Sequence, residues 1–500
     1  MALEKGDLRH DAGGKADISD IVIEDEGKAS PRPDVESVGF DEKATKRLVR
    51  KIDYVTIPFV ALLYLLSFLD RTNIGNARLA GLEADLGMTG LDYNIAVAVF
   101  FPGYILAEVP SNMMLKRFRP SIWIPTIMVV WAICTTLMGV VHNFAGLVAA
   151  RIALGFAEGG LFPGVAFYIT MWYRKREWGF RLALFFSAAT AAGAFGGLLA
   201  RGIMEMDGVG GKAGWSWIFI LEGLATLVVA MVAFFYITDF PSEAKFLTAE
   251  EKDEATGRLT EDRSALADEF NIKFMWDAFK DWKIWVNVLV TIGNYTNVYS
   301  VSLFLPTIVR TLGYANEEAQ LMSVPPYVVA CAVCVVAGYY GDRFQTRGVI
   351  MIGLFATGIM GLIMVVASTN YQVKYAGCVF AALGIFAAVP QGVAWTSANA
   401  GGTTKRGVAI ALHVGGGNCG GVIAAFLFLP KHAPRYVPGL STLTALLTMS
   451  LVLSTCMTIY YRRENARRDR VGRQPSEYSS DEMEAEREKG DYATFFRYMV

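Results

Sequence analysis

Residues 144–170 read FAGLVAARIALGFAEGGLFPGVAFYIT. The stretch exceeds the ~20 residues that carry a helix across the hydrocarbon of a bilayer, yet it holds two ionisable side chains, Arg151 and Glu158. Comparable apolar runs recur along the chain. Twelve are marked, near 54–75, 91–110, 121–141, 144–170, 179–201 and 215–238, then 284–309, 321–340, 348–368, 373–396, 407–429 and 438–461. The composition agrees: 53% of the 500 residues are hydrophobic and 19% charged, against roughly 45–50% and about 25% in soluble domains. Length alone suggests about three soluble domains, but the apolar runs overrule it. The sequence predicts an all-α membrane protein with twelve transmembrane helices, embedded in the lipid bilayer. A formal net charge of −1 excludes a nucleic-acid binder, which carries a basic surface.

Basic residues in short loops set the orientation. Lys46, Arg47, Arg50 and Lys51 precede the first span, Lys116, Arg117 and Arg119 follow the second, and Arg174, Lys175 and Arg176 follow the fourth. Arg343 and Arg347 follow the eighth, Lys405 and Arg406 the tenth, and Arg462, Arg463, Arg467 and Arg468 the last. Both termini are therefore expected in the cytosol. The expected organisation is a disordered tail at 1–50, a six-helix bundle at 51–238, a cytosolic linker with short amphipathic helices at 239–283, a second bundle at 284–461 and a polar tail at 462–500. Tryptophans such as Trp123, Trp178 and Trp215 mark span ends, where amphipathic rings settle at headgroup level. All six cysteines lie in apolar runs, and Cys331-x-x-Cys334 has no second pair or histidine beside it. These are read as buried small residues, so no metal, cofactor or disulfide is expected.

The halves echo one another. Lys116-Arg117-Phe118 and Asp342-Arg343-Phe344 stand at nearly the same separation as Arg181 and Arg406, which suggests duplicated six-helix bundles. Transporters built from such repeats bind substrate near the midplane between halves and rock to alternate access.

An ionisable side chain inside a span costs ~2.5–3.5 kcal/mol on insertion scales and needs a reason. Arg151 and Glu158, seven positions apart with Gly155 between them, fall on one helix face. They read either as a cationic anion-binding group beside a titratable carboxylate or as an ion-paired lock between helices. Asp70-Arg71-Thr72-Asn73 ends the first apolar run; it marks the outer interface or faces a wet cavity on a helix continuing through Gly75. In the repeat register this pair maps to Thr296-Asn297, beside Asn294 and Tyr295, while Arg151 and Glu158 map to Gly377 and Gly384. Charge in one half and neutral hydrogen-bonding groups in the other suit a small organic anion, its carboxylate on arginine and its body read by amides and aromatics. Tyr104, Gln391 and Asn418 are candidate cavity liners, and His413 is a candidate proton carrier set against a satisfied structural histidine. Glu108 and Glu222 lie near the expected span ends and read as helix-orienting groups. Gly415-Gly-Gly-Asn-Cys-Gly420 fits G-x-G-x-x-G, but no strand precedes it, so dense helix packing is the reading. Gly210-Gly-Lys-Ala lacks the leading glycine and the Ser/Thr of a Walker A loop.

Gly338-x-x-x-Asp342-Arg343-x-x-x-Arg347 resembles the gating-loop signature of the major facilitator superfamily. Phe68-Leu-Asp-Arg-Thr-Asn-Ile-Gly-Asn-Ala77, Arg151-x-x-x-Gly-x-x-Glu158-Gly-Gly and Trp215-x-Trp-Ile-Phe-Ile-x-Glu-Gly223 resemble its anion:cation symporter branch, and within it the fungal allantoate permease-like group. Phe240-Pro241, Phe246-Leu-Thr248, Pro325-Pro-Tyr327 and Phe496-Arg-Tyr498 fit the same group, and the likeness covers roughly residues 50–470. The resemblance implies the two-bundle major facilitator fold and proton-coupled import of an organic anion such as nicotinate, pantothenate, biotin or a ureide. It implies anion binding at Arg71 and Arg151 with Tyr104, and proton coupling at Asp70 and Glu158. One departure stands out: Lys116 occupies the place of the signature's aspartate after span two.

The expected function is proton-coupled symport of a small organic anion by alternating access, by a monomer in the plasma membrane. The rivals are an exporter of an acidic metabolite on the same fold and a nutrient sensor that binds without transporting. The four scattered histidines (His10, His142, His413, His432) and the lack of a nucleophile–base spacing argue against an enzyme.

Overall fold

The computed structural model describes residues 42–174, 177–263, 272–311, 316–429, 435–471 and 478–500. The expected tail at 1–41, the loop residues Lys175 and Arg176, His432 and the side chain of Lys116 lie outside the described residues. The chain divides into Met1–Lys46, where Lys46 Nζ pairs with Glu42 at 2.6 Å, and Arg47–Val500. The first half comprises α1 (Glu42–Leu79), α2 (Leu82–Asp85), α3 (Asp92–Ala98), α4 (Phe100–Arg117), α5 (Pro120–Met138), α6 (Phe144–Glu158), α7 (Leu161–Trp172), α8 (Trp178–Met204) and α9 (Gly214–Tyr236). The linker holds α10 (Ala249–Arg263) and α11 (Ile272–Lys280). The second half comprises α12 (Trp282–Thr311), α13 (Asn316–Phe344), α14 (Arg347–Ala367), α15 (Tyr371–Asn399), α16 (Thr403–Ala425) and α17 (Val437–Val471), and α18 (Ser480–Glu488) follows.

Among the described residues, 11 helical stretches are long and apolar enough to cross a membrane, with α3–α4 and α6–α7 each counting as one. The twelfth span is α12, whose 30 residues extend well beyond the ~30 Å hydrocarbon layer. It is the most polar because Asn287, Thr291, Asn294, Thr296, Asn297 and Ser300 are all buried against protein instead of facing lipid. The fourth span bends between Glu158 and Leu161 for a local reason. Pro163 has no N–H to donate back to the preceding turn. Gly159 and Gly160 let α4 press close, since a Cβ on either would strike Tyr104 O or Ser111 Oγ.

The duplication is visible in the packing. In the first half α4 packs on α6, α5 on α6 and α5 on α9; in the second the corresponding pairs are α13 on α15, α14 on α15 and α14 on α17. Across the halves, α8 packs on α13 and, symmetrically, α16 on α4.

Two boundaries need correction. The region expected to be a disordered tail to residue 50 is helical from Glu42, because Leu48 and Ile52 already face the interior. Beyond residue 461, α17 runs on to Val471, and the segment read as a polar tail is folded from 478. Its last residues are apolar: Phe496, Tyr498 and Met499 are buried, with Tyr498 stacked on Tyr461 at 4.8 Å. Arg468 Nη1 donates to the carbonyls of Asp491, Ala493 and Phe496 at 2.9–3.1 Å and fixes the fold-back.

Candidate functional site

Helix α1 continues unbroken through Asp70 and Arg71, so these side chains sit inside the protein and not at its outer rim. Neighbours on a helix diverge by about 100°, and this pair separates accordingly. Asp70 turns into the first bundle, where Oδ2 accepts from Trp131 Nε1 at 2.8 Å and Thr226 Oγ1 at 3.1 Å. One turn on, Asn73 Nδ2 donates to Glu222 Oε2 at 2.5 Å. Arg71 turns the other way, toward the second half. Its Nη2 lies 2.6 Å from Glu158 Oε1, which also accepts from Ser67 Oγ at 2.5 Å. Ser67 and Arg71 share a face one turn apart.

Arg71 Nη1 donates to Tyr299 Oη at 2.7 Å, and that hydroxyl donates to Asn418 Oδ1. The guanidinium carbon lies 4.7 Å from the centre of the Tyr104 ring and 5.2 Å from that of Phe100, distances at which an aromatic face attracts a cation. These rings come so close because α4 crosses α6 at Gly155, where a Cβ would strike Phe100 O. Arg71, Tyr104, Tyr295, Tyr299 and Asn418 line a cavity of about 20 Å³ between the halves, enough for about one water. Phe68 forms part of its wall and also faces a second cavity of about 580 Å³ toward the outer end of α1, lined by Asn76, Arg78, Gly193, Gly197 and Tyr327. That volume lies within the roughly 300–1,000 Å³ of small-molecule pockets.

The opposite end is shut. Asp342 caps the start of α8, accepting from the N–H of Gly179 at 3.1 Å and of Phe180 at 2.7 Å, and pairs with buried Arg347. Gly338 and Gly179 are tight here: a Cβ on Gly338 would meet Ala183, and one on Gly179 would meet the Arg347 guanidinium. Arg343 is exposed. At the symmetric place Asn112 Nδ2 donates to Gly407 O at 3.2 Å, a neutral contact where the other side has a carboxylate on a helix end.

Of the residues expected at the site, Arg71, Tyr104, Tyr295, Asn418 and Glu158 converge; the rest do not. Arg151 shares the buried face of α6 with Glu158 but does not line the cavity. Its guanidinium lies 5.8 Å from the Phe100 ring centre, and Nε and Nη1 have no partner. Asn297 donates to Gly293 O and Leu443 O, facing α17. Asn294 is buried with its Oδ1 unpartnered, and Gln391 abuts Gly341, both away from the cavity. His413 lies between Thr291 and Thr396 at 2.9 and 2.8 Å, held by their hydroxyls. Glu108 and Glu222, read as lying near span ends, are buried within their helices.

Sequence reasoning missed Ser67, Phe100 and Tyr299. Ser67 is four residues before Arg71 and Tyr299 four after Tyr295, so helical spacing alone points to both. The glycine run in α16 packs as expected: a Cβ on Gly416, Gly420 or Gly421 would strike Val288, the Thr296 backbone or the Phe101 ring.

Two like bundles of membrane-spanning length with a cavity between them have the architecture of a multi-pass membrane transporter, and the relatives that follow are named as transporters, not enzymes. The sequence profile of the Major Facilitator Superfamily matches residues 60–425 and 288–476, and the chain belongs to that family. It is 35% identical over 489 residues to an uncharacterized transporter of Schizosaccharomyces pombe, covering 97% of this chain and 96% of the relative. It is 35% identical over 480 residues to the MFS-type transporter cnsO of Penicillium expansum, covering 92% of each. It is 30% identical over 473 residues to the high-affinity nicotinic acid transporter of Saccharomyces cerevisiae, covering 93% and 85%. Among solved structures, the proton:xylose symporter XylE bound to 6-bromo-6-deoxy-D-glucose matches with a TM-score of 0.61 at 16% identity, over 80% of this chain and 95% of that one, a likeness of fold.

Proposed function

We propose that the protein imports a small organic anion together with a proton by alternating access, as a monomer in the plasma membrane. The observation that carries this reading is the Arg71–Glu158 pair beside a cavity between the halves, with Glu158 Oε2 left without a partner. A buried guanidinium needs one compensating negative charge. In the resting site Glu158 supplies it. An entering carboxylate takes its place on Arg71 Nη2, and Glu158 accepts a proton, so the charge in the site is unchanged while both cargoes are held. The halves then rock, the Asp342 contact at the start of α8 opens, and loss of the proton lets Glu158 reclaim Arg71 and expel the anion. Tyr64, Tyr104, Tyr295 and Tyr299 around the guanidinium suit a flat or compact body. The name of the nicotinic acid transporter relative agrees with a ring carboxylate as cargo.

The test is uptake of radiolabelled nicotinate, pantothenate and allantoate by yeast lacking endogenous carriers, with and without a protonophore. Arg71→Gln should abolish uptake at normal surface abundance. Glu158→Gln should still exchange anion for anion but no longer concentrate it when the outside is acidified. Protonophore-insensitive accumulation, or normal uptake by Arg71→Gln, contradicts the reading.

A further inference from the structure

The Arg71–Glu158 exchange makes no use of Glu108. This carboxyl is fully buried in α4, its Oε1 accepts from Asn418 Nδ2 at 3.1 Å, and its Oε2 has no partner. Asn418 belongs to α16 of the other half. Its second amide N–H is taken by Val414 O at 2.9 Å, and its Oδ1 accepts from Tyr299 Oη, which accepts from Arg71 Nη1. Every bond in this chain therefore points the same way, from Arg71 through Tyr299 and Asn418 to Glu108. A guanidinium can only donate, so Arg71 fixes the direction, and the carboxyl at the far end is the natural terminus. Chains so aligned polarise and strengthen each other. α16 makes room for this terminus with Gly415, where any Cβ would strike Glu108 Oε2.

We infer that Glu108 is a second counter-carboxyl of Arg71, reaching it across the two halves through Tyr299 and Asn418. Arg71 has two tethers, Nη2 to Glu158 and Nη1 to the Glu108 chain. When the anion takes the first, the second keeps the guanidinium aimed at the cavity. Glu108 is thus a positioning residue, and its hydrogen bond to Asn418 ties occupancy of Arg71 to the α4–α16 contact that must move as the halves rock. The inference rests on the assignment of Arg71 as the anion site, but its test needs no substrate.

The experiment is a set of double-mutant cycles read as thermal unfolding of the purified full-length protein. Glu108→Gln keeps the acceptor oxygen for Asn418 and nearly the same volume, so a packing or hydrogen-bonding role predicts wild-type behaviour. A charge role predicts otherwise. Glu108→Gln and Glu158→Gln should each lower the midpoint modestly, and together by several degrees more than their sum, because Arg71 then has no carboxylate. In an Arg71→Gln background, Glu108→Gln should cost nothing further. Tyr299→Phe cuts the chain with both carboxyls in place and should remove most of the coupling, and it stays informative if the double carboxyl variant does not purify. Additive cycles, a silent Glu108→Gln, or full coupling retained in Tyr299→Phe overturns the inference. None of these results depends on which anion, if any, is taken up in the yeast assay.

Discussion

Two of the protein's buried clusters of charge differ in how completely they are paired. Below the second half, Lys405 Nζ lies 2.6 Å from Asp281 and 2.5 Å from Asp491, while Lys283 pairs with Asp491 and lies 3.4 Å from Asp281. Tyr498 Oη accepts from Lys283 Nζ at 2.9 Å, and none of these charged atoms is left without a partner. Within the membrane-spanning helices, Arg71 Nε, Arg151 Nε and Nη1, and Glu158 Oε2 have none. A buried charge is tolerable when its hydrogen bonds are complete, and an incomplete one asks for an explanation. The saturated cluster lies in the second half and its tail and fastens helix ends. The unsaturated one lies inside the bundles, where Arg71 and Glu158 meet beside a cavity between the halves and Arg151 stands off it; on the proposed function, its vacant donors and acceptors serve the cargo. Between these two clusters the difference is one of saturation, not of burial or charge.

The largest effect should come from breaking the lock. Asp491→Asn leaves two buried ammonium groups sharing Asp281 and should cost about 3–5 kcal/mol of stability, read as a lowered unfolding midpoint in detergent. Its acid dependence has a definite sign. Burial pushes the Asp491 carboxyl up, but the ammonium groups of Lys405 and Lys283 outweigh this and hold it below the ordinary carboxylate range. In the unfolded chain it titrates near about 3.9. A carboxyl depressed in the folded state stabilises fully above that value, and the gain fades as the pH falls through the folded value. Asp491→Asn should therefore flatten the acid limb of the wild-type stability profile. An unchanged limb breaks the comparison.

The lock was also the less legible of the two clusters in the sequence. Twelve spans and the duplication follow from hydropathy and spacing, because lipid imposes one rule on every span. Arg71 and Glu158 were legible because a charge in an apolar run is conspicuous. Asp70 shows the limit of that signal: it is as conspicuous as Arg71, but one residue of helical rotation turns it toward Trp131 and Thr226. His413 and Asn297 are polar for their neighbours' sake, which only the packing of α12 against α15, α16 and α17 reveals. The Asp491 cluster joins residues more than two hundred positions apart through a tail that composition marks only as polar, and no local pattern announces it.

An intermediate effect is expected at the centre, and of mixed sign. Glu158→Gln retains an acceptor for Ser67 and leaves Arg71 its Tyr299 bond with, on the inference above, the Glu108 carboxyl as remaining counter-charge. It should therefore cost about 1–2 kcal/mol, well under Asp491→Asn; a cost of about 3–5 kcal/mol would mean that Glu158 is the sole counter-charge. Arg151 carries no ion pair among the described residues. Arg151→Met, which replaces an incompletely bonded guanidinium by an apolar chain of similar length, should raise stability by on the order of 1 kcal/mol, read as a higher unfolding midpoint. If Arg151 serves the anion along its path, the same variant should lose uptake. A stabilised, inactive protein is the signature of a functional charge. A destabilised one would place Arg151 with the lock.

The smallest effect sharpens the contrast most. Ser67 Oγ donates to the Glu158 carboxylate, and Tyr498 Oη lies 3.3 Å from Asp491 Oδ2. Ser67→Ala and Tyr498→Phe each remove one hydroxyl at a buried carboxylate, and each should cost about 1 kcal/mol of stability. Their consequences for transport should part. The Ser67 bond steadies the resting Glu158–Arg71 pair, which the anion displaces in the proposed mechanism, so its loss should favour the anion and lower KM by roughly fivefold, the factor that about 1 kcal/mol represents. Tyr498 touches nothing that exchanges partners, and Tyr498→Phe should leave KM where it is. Equal KM values in the two variants would mean that Glu158 does not compete with cargo for Arg71, and that the central cluster, despite its unpaired atoms, is a second lock.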